Sequence, residues 1–319
     1  MSINRARALQ VIDPFLSNVA RRYKSSGFVA DRLLPSIRVT KLSGQYPVFD
    51  KQFWFANDTD NKSSDRAPAK ELDYNWSLEN FLCEEFAFKV SLTDLEKSQV
   101  ESELHLRQSK AEFLAHRMNL AREVRVAAML NIVSNGGQLD NAMDATPSTN
   151  WDQATATIEG DIKERVLAIY DSIGMPPNTL VLPYKVAYAM AVQEDIRAIL
   201  EYQITGEGLK PLQLGSRMLP AQIHGMEVVI PEGQTTTAKE GAASVTLTEI
   251  WGDDPRLLYV DKNAGWGTPS VAYDLVHTER TVTRWNEIDP DRELMRELER
   301  RDEKVVAPEA GAILLDVLS

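Results

Sequence analysis

Residues 91–135 contain neither proline nor glycine, and this stretch limits the possible folds more than any other. Thr93 and Glu96 match a T-x-x-E capping box, and the Asn-Gly-Gly sequence at 135–137 is typical of a helix end. The pattern therefore predicts one helix over 93–133. Such a helix would span on the order of 60 Å, which is long for a compact domain.

The first half of this predicted helix is polar nearly all round, whereas its second half is rich in apolar residues. We therefore expect one end to be buried in a globular body and the other to lie across a surface. A coiled coil is the alternative for a helix of this length. Apolar residues at the a and d positions do not persist over three or four heptads, which disfavours that alternative.

A second unusual feature is an aromatic-rich segment, GQYPVFDKQFWF (44–55), with five aromatic residues in twelve. A polar run follows at 57–69, and KELDYNWSLENF (70–81) then alternates apolar and polar residues with the period of a strand. The two segments are typical of the arms of a long β-hairpin. Because an isolated two-stranded ribbon is only marginally stable, its apolar face needs a partner. Apolar residues occupy even-numbered positions at Tyr46 and Val48 but odd-numbered positions at Phe53 and Phe55. This shift predicts a bulge or bend near Asp50.

The rest of the chain mixes helix and strand patterns irregularly. We expect a helix ending at Gly174 and another from Tyr184 to about Tyr202. Strands are predicted at 179–182, 224–233, 244–252, 256–262 and 270–280. Because this order lacks a regular βαβ alternation, we predict the α+β fold class.

Length and charge narrow the function classes. The 319 residues suffice for about two domains. The net charge is −12, which argues against a general nucleic-acid binder. Residues 1–41 nevertheless carry a local charge of +6. We expect this basic segment either to contact an acidic neighbour or a polyanion, or to be a solvated surface without a partner. Its candidate contact residues are Arg5, Arg7, Arg21, Arg22 and Lys24.

Cysteine content and hydropathy bear on the cellular setting. Cys83 is the only cysteine, which excludes an intrachain disulfide and suggests a reducing compartment. Its position between Leu82 and Glu84, in a strand-like region, predicts a packing role rather than a nucleophilic one. The first residues lack the apolar core of a signal peptide, and no run approaches the length of a membrane span. We expect a protein that is neither secreted by that route nor inserted in a membrane.

No pattern of catalytic or cofactor-binding residues stands out. The four histidines are scattered, and His105 and His116 would lie about 16 Å apart on one helix, too far to bind one metal ion. The GEGLKP sequence at 206–211 is typical of a loop, and WGDDP at 251–255 of a turn. We predict no catalytic residue, no cofactor and no metal. The aromatic hairpin, the long helix and the basic segment instead predict a protein that is completed by its neighbours.

The order of these features resembles one known family. The opening VIDPFLSNVARRYKSSGFVADRLLPSIRVTKLSGQYPVFDK is similar to that of tailed-bacteriophage major capsid proteins of the Hong Kong 97-type fold, where DP-x-L-x-N-x-A-x-x-Y leads through FVAD-x-L-L-P into G-x-Y-P-V-F. The segments NTLVLPYKVAYAM, WGDDPRLLYVDK and RDEKVVAPEAGAILLDVL also resemble the family at their places. The resemblance covers nearly the whole chain.

The resemblance implies a division of the chain into segments. Residues 1–40 would be an N-terminal arm, and residues 41–80 an extended hairpin called the E-loop. Residues 81–174 would form the P domain, including a spine helix over 93–133. Residues 175–261 would form the A domain, and residues 262–319 would return to the P-domain sheet.

Residues 291–304, DRELMRELERRDEK, favour two structures at once. Glu293 and Glu297 stand at i,i+3 and i,i+4 spacings from arginines, which favours an exposed helix. The resemblance instead implies a long strand in this place. Residues 284–300 are therefore left open between helix and strand, and strand is predicted only from about Lys304.

The resemblance also implies a function. The chain would assemble with itself into hexamers and pentamers of an icosahedral shell around packaged double-stranded DNA, and it would reside in the virion after assembly in the host cytoplasm. Portal, scaffolding and decoration proteins are further implied partners, and contact with DNA would be weak and non-specific. The E-loop would lie on the adjacent subunit and bury Tyr46, Phe49, Phe53, Trp54, Tyr74 and Trp76.

Other functions stay open at this stage. An encapsulin-type bacterial compartment shares the fold, but would need a groove for cargo peptides that the sequence does not identify. An enzyme with an unrecognised site and a scaffolding or coiled-coil protein are further alternatives. Some relatives cross-link an E-loop lysine to a neighbouring asparagine. Lys41, Lys51, Lys62 and Lys70 lie in or beside the loop, but no acceptor is evident and we expect noncovalent contacts.

Overall fold

The computed structural model places helices and strands in an α+β arrangement. It describes residues 11–23, 25, 27–48, 77–99, 102–193, 219–238, 244–263, 265, 270–288 and 291–319. The helices are α1 (Pro14–Arg22), α2 (Ala30–Leu33), α3 (Asp94–Ser98), α4 (Glu103–Met129), α5 (Ile158–Ile173) and α6 (Tyr184–Val192). Short 3-10 turns occur at Val133–Asn135, Asn141–Met143 and Pro308–Ala310.

The strands differ greatly in length. The first eight are β1 (Val11–Ile12), β2 (Ser36–Arg38), β3 (Ser43–Val48), β4 (Ser77–Leu82), β5 (Glu84–Thr93), β6 (Asp144–Ala145), β7 (Thr179–Val181) and β8 (Gln222–Ile223). The others are β9 (Met226–Val229), β10 (Gln234–Thr235), β11 (Thr248–Glu249), β12 (Arg256–Leu258), β13 (Ala272–Ile288), β14 (Asp291–Val305) and β15 (Gly311–Leu314).

The longest strands form one sheet, here called the long-stranded sheet. Its order is β1-β13-β14-β5, and β2 pairs in parallel with β13. Helices α1 and α4 cover one face of this sheet. A small apolar cluster lies between them, formed by Leu16, Ala20, Ala111, Leu114, Ala115, Val282 and Met295.

Residues 291–304 are a strand, which resolves the open choice in favour of β structure. Strand β14 pairs antiparallel with β13 on one side and with β5 on the other. The charged side chains therefore find partners across strands instead of along a helix. Arg296 and Arg300 both contact Glu85 of β5, the latter at 2.8 Å. Pairing on two sides thus overrides the helical spacing.

The prediction of one helix over 93–133 is wrong in one respect, because the helical segment is divided. The capping box of Thr93 and Glu96 is confirmed, but it starts the short helix α3, and α4 begins only at Glu103. The Nζ atom of Lys110 lies 2.9 Å from Glu96 Oε1. In one continuous helix these residues would be about 21 Å apart along the axis. The chain therefore turns back between α3 and α4, and α4 ends earlier than predicted, at Met129.

A six-stranded sheet with the order β6-β15-β12-β7-β9-β8 forms the second layer. The main apolar core lies around it, and α5 contributes Ile158, Ile162, Ile169 and Ile173 to this core. Helix α5 ends at Gly174 as predicted, with a φ of +71°. The prediction that residues 262–319 all return to one sheet is wrong in part. Strands β13 and β14 join the long-stranded sheet, but β15 pairs with β12 in the six-stranded sheet.

The remaining predicted elements are shorter than expected. Helix α6 begins at Tyr184 as predicted and ends at Val192, and residues 194–218 lie outside the described residues. Strand structure within 244–252 is limited to β11, which pairs with β10. In the part of the chain that the structure describes, no helix is both long and apolar enough to cross a membrane.

The C-terminal end of α4 is fixed to the six-stranded sheet by a buried arginine. Arg256 of β12 donates from Nε to the backbone oxygen of Leu130 at 2.8 Å and from Nη1 to that of Trp251 at 3.0 Å. Burial lowers the pKa of Arg256 to about 10. The cation also complements the negative end of the α4 dipole. Helix α4 therefore spans from one sheet to the other.

A carboxylate farther back on α4 makes a second connection. Glu123 accepts hydrogen bonds from the backbone N–H groups of Val29 and Ala30, at 3.0 and 2.9 Å, where α2 begins. The indole Nε1 of Trp251 donates to the same carboxylate at 2.7 Å. One side chain thus joins the N-terminal segment, α4 and the loop before β12.

We predict that Arg256→Met lowers the free energy of unfolding by about 3–5 kcal/mol, because buried carbonyl oxygens lose their donors. Arg117→Met, at an exposed position of the same helix α4, should change it by less than about 0.5 kcal/mol. Urea denaturation of the two variants and the parent chain measures both values. Equal losses for the two variants would contradict the role assigned to Arg256.

Candidate functional site

The base of the predicted hairpin is present in the structure. Strands β3 and β4 pair antiparallel, with Gly44 opposite Phe81, Tyr46 opposite Glu79 and Val48 opposite Ser77. Because side chains alternate along a strand, these pairs share one face of the ribbon. Pro47 opposite Leu78 and Ser43 opposite Leu82 share the other face. We call these the inner and outer faces of the hairpin base.

The inner face is attached to the long-stranded sheet. Its side chains join a buried cluster formed by Val39, Tyr46, Phe81, Cys83, Tyr273, Leu275 and Val306. A Cβ atom on Gly44 would lie 2.9 Å from the ring of Phe81, so glycine is needed for the ring to lie across the ribbon. The backbone N–H of Leu82 donates to Asp302 Oδ2 at 2.9 Å. The hairpin base is therefore held by its own subunit.

Tyr46 corrects one expectation of the sequence. Its side chain is 1% exposed in the single subunit, and its hydroxyl donates to Glu79 Oε2 at 2.8 Å. Burial, together with the nearby Glu79 carboxylate, raises the pKa of Tyr46. Because its own chain already covers the ring, the prediction that Tyr46 contacts another subunit is wrong.

The outer face is turned away from its own subunit and carries the pairs Pro47 with Leu78, Gln45 with Asn80 and Ser43 with Leu82. Leu78 is 54% exposed and Leu82 is 59% exposed. Pro47, paired with Leu78, is only partly covered. The exposed Asn80 lies between the two leucines on this face. Large apolar side chains that are exposed on one ribbon face, with polar side chains beside them, are compatible with a surface that another molecule covers.

The other predicted hairpin contacts lie outside the described residues. These are Phe49, Phe53, Trp54, Tyr74 and Trp76. The bulge predicted near Asp50 also lies there. These assignments stay predictions.

The basic N-terminal residues are only partly described. Arg21 and Arg22 lie in the last turn of α1, and both are exposed. Arg21 donates from Nε to the backbone oxygen of Arg280 at 2.9 Å, so it is bound to its own subunit. Arg5, Arg7 and Lys24 lie outside the described residues.

Cys83 packs in the inner cluster beside the hairpin. Its thiol is buried and lies 3.5 Å from the backbone oxygen of Leu275. Burial, with Asp302 and Asp274 nearby, raises the pKa of Cys83 to about 11. A buried thiol with a raised pKa is a poor nucleophile. Within the described residues, no group of His, Cys, Asp or Glu is placed to hold a metal ion.

Sequence reasoning missed a row of eight charges, six of them buried, between α4 and the strand pair β13–β14, which we call the ion row. Its members, in spatial order, are Arg125, Glu303, Arg122, Asp274, Arg301, Glu299, Arg280 and Glu297. Consecutive members alternate in sign and lie 2.9–3.7 Å apart. A signal was present, because acidic residues concentrate at odd positions of 291–299 and arginines at even positions.

We predict that Cys83 of the folded chain reacts with iodoacetamide at pH 8 at least roughly 10²-fold more slowly than in the unfolded chain, because little thiolate is present. Tyr46→Ala should accelerate the reaction by opening the inner cluster, whereas Leu78→Ala on the outer face should not. Mass spectrometry of timed samples measures the rates. An unchanged rate in Tyr46→Ala would contradict the packing of the inner face.

No protein-family model matches the chain. A known protein nevertheless resembles it over nearly its full length. The chain is 23% identical over 319 residues to the major capsid protein of Burkholderia phage BcepMu, and the match covers 98% of each protein.

Solved structures resemble the chain over a similar extent. A phage-related protein from Bordetella bronchiseptica RB50 matches with a TM-score of 0.71 at 20% identity, over 97% of this chain and 98% of that chain. An encapsulin complex from Synechococcus elongatus PCC 7942 matches with a TM-score of 0.55 at 12% identity, over 97% of both chains. The capsid structure of Cyanophage P-SCSP1u matches with a TM-score of 0.51 at 12% identity, over 88% of this chain and 85% of that chain. At these identities the likeness shows a shared fold.

Proposed function

We infer that this chain, which has the Hong Kong 97-type fold of tailed-bacteriophage capsid proteins, is a major capsid protein and builds the shell of a phage head. The fold expected from the sequence is confirmed by the structural likeness over nearly the whole chain. The observation that carries the functional inference is the match to a phage major capsid protein over 98% of both chains. The role is structural, and no catalytic step is assigned to the chain.

The outer face of the hairpin base supports self-association. Leu78 and Leu82 are exposed on a ribbon whose inner face is already attached to its own subunit. In the sequence, Tyr74 and Trp76 occupy even-numbered positions, as Leu78 does. Phe49 and Phe53 occupy odd-numbered positions, as Pro47 does. We propose that this face, with Trp54 beside it, packs on the body of an adjacent subunit. Burying one large aromatic side chain stabilises such a contact by about 2–3 kcal/mol before entropy costs.

The assembly that we propose is an icosahedral shell of hexamers and pentamers around double-stranded DNA, formed in the host cytoplasm and retained in the virion. The net charge of −12 suits a wall that must not trap DNA. The basic residues of the N-terminal arm would make weak, non-specific contacts with DNA or contact an acidic neighbour. Portal, scaffolding and decoration proteins are further proposed partners.

An encapsulin-type compartment is the second candidate, because the TM-score to an encapsulin complex, 0.55, is as high as that to a phage capsid. The contents of particles isolated from native cells separate the two. Nuclease-protected DNA inside the particles supports a phage head. Particles that contain a protein cargo and no DNA would support the compartment.

We predict that electron microscopy of the purified chain shows ring-shaped capsomers or closed shells, because the exposed Leu78 and Leu82 of the hairpin base favour association. Association should strengthen with protein concentration. Small discrete particles at every salt and protein concentration would contradict the proposed function.

A deletion tests the hairpin directly. Val48 and Ser77 are paired, so residues 49–76 can be replaced by an Asn-Gly turn that closes the shortened ribbon. We predict a folded subunit that forms no shells. The double variant Leu78→Glu/Leu82→Glu should also fail to assemble, whereas Ser77→Glu, an exposed position of the inner-face series, should assemble. Intact shells from the deletion would rule out the proposed role of the hairpin.

A further inference from the structure

Glu297 stands at one end of the ion row and is the least compensated carboxylate in it. Glu299 and Asp274 each lie between two guanidinium groups, whereas Glu297 has only Arg280, at 2.9 Å. That guanidinium is shared, because the Nε–H of Arg280 donates to Glu299 Oε2 at 3.2 Å. Neither carboxylate oxygen of Glu297 accepts a hydrogen bond from any described residue, and the residue is 0% exposed.

The surroundings of Glu297 are mostly apolar. Val282 of β13 and Phe88 of β5 stand opposite it on the neighbouring strands. Met295, two residues earlier on β14, belongs to the apolar cluster beneath α1 and α4. A carboxylate placed there loses hydration and gains little in exchange.

The helices that cover this part of the sheet supply polar groups to Arg280 rather than to Glu297. Asn119 of α4 accepts a hydrogen bond from Arg280 through its amide oxygen at 2.8 Å. Arg21 of α1 donates to the backbone oxygen of Arg280. Arg122 of α4 is committed to Asp31 and Asp274. Among the described residues, the charged groups that act on Glu297 are Arg280 and Glu299.

We propose that the buried pair Glu297 and Glu299 is a proton-binding site, in which Glu297 takes up a proton as the pH falls through the neutral range. Two carboxylates that share one guanidinium in an apolar setting are more stable with one of them protonated. One oxygen of Glu299 is also buried without a hydrogen-bond donor, so three of the four carboxylate oxygens of this pair lack one. Consistent with this geometry, burial raises the pKa of Glu297 to about 7.

Proton binding at this place makes the stability of the folded chain depend on pH. Because the folded chain binds this proton more tightly than the unfolded chain, its stabilising effect is complete below the ordinary carboxyl pKa of about 4.5. The effect is lost as the pH rises to about 7, the pKa in the folded chain. Burial also raises the pKa of Asp274 and Glu123, which act in the same direction. A variant at Glu297 is therefore needed to separate its contribution to the pH dependence of stability from those of Asp274 and Glu123.

Infrared difference spectroscopy tests the proposal on the full chain. The spectrum at pH 6 minus that at pH 8 should contain the carbonyl stretch of a protonated carboxyl group. We expect Glu297→Gln to lose this band, while Glu287→Gln, a carboxylate on the same hairpin that is paired with Arg292 at 2.6 Å, keeps it. The absence of the band in the parent chain, or its persistence in Glu297→Gln, would overturn the proposal.

Thermal unfolding between pH 5 and 8 gives an independent readout. The melting temperature of the parent chain should fall as the pH rises, and that of Glu297→Gln should fall less. At pH 8 the Gln variant should melt at or above the parent, because it carries no buried charge at that place. A parallel fall in both proteins would show that another group binds the proton.

Discussion

Ion pairs between helix α4 and the strand pair β13–β14 hold the long-stranded sheet to its covering layer. Taking charges out of water is costly, and the row is stable only where each guanidinium meets its carboxylates at short range. Arg122, on α4, meets Asp274 of β13 at 2.9 Å while also contacting Asp31 of α2. A shifted helix or a slipped strand would leave buried charges unpaired. The row therefore specifies one register of helix on sheet, more than it adds to stability.

The hairpin depends on this arrangement because its inner face packs on the same strands. Tyr273 and Leu275 of β13 contact the cluster that contains Tyr46 and Phe81. The two faces of the ribbon thus have different tasks. One face is fixed to the sheet of its own subunit, and the other carries the exposed side chains of Leu78 and Leu82.

Sequence reasoning recovered the fold class, the hairpin base, the start of α3, and helices α5 and α6. It failed where several elements meet. The sequence does not decide between helix and strand for most of β14, because the Glu and Arg spacings that favour a helix are local. The pairing of β14 with β5 and β13 depends on residues that are distant in the sequence. The break between α3 and α4 was missed because no proline or glycine marks it, and the turn is held by ion pairs such as Lys110 with Glu96. The role of Tyr46 was misassigned because an aromatic-rich strand does not reveal which of its faces is covered.

The pairing of Val48 with Ser77 brings the two ends of residues 49–76 together within the subunit. Because these ends are held beside each other, the cost of closing a loop between them rises only slowly with its length. The fold of one subunit therefore sets little limit on the length of this segment, and a strict limit has to come from what the segment contacts in an assembly.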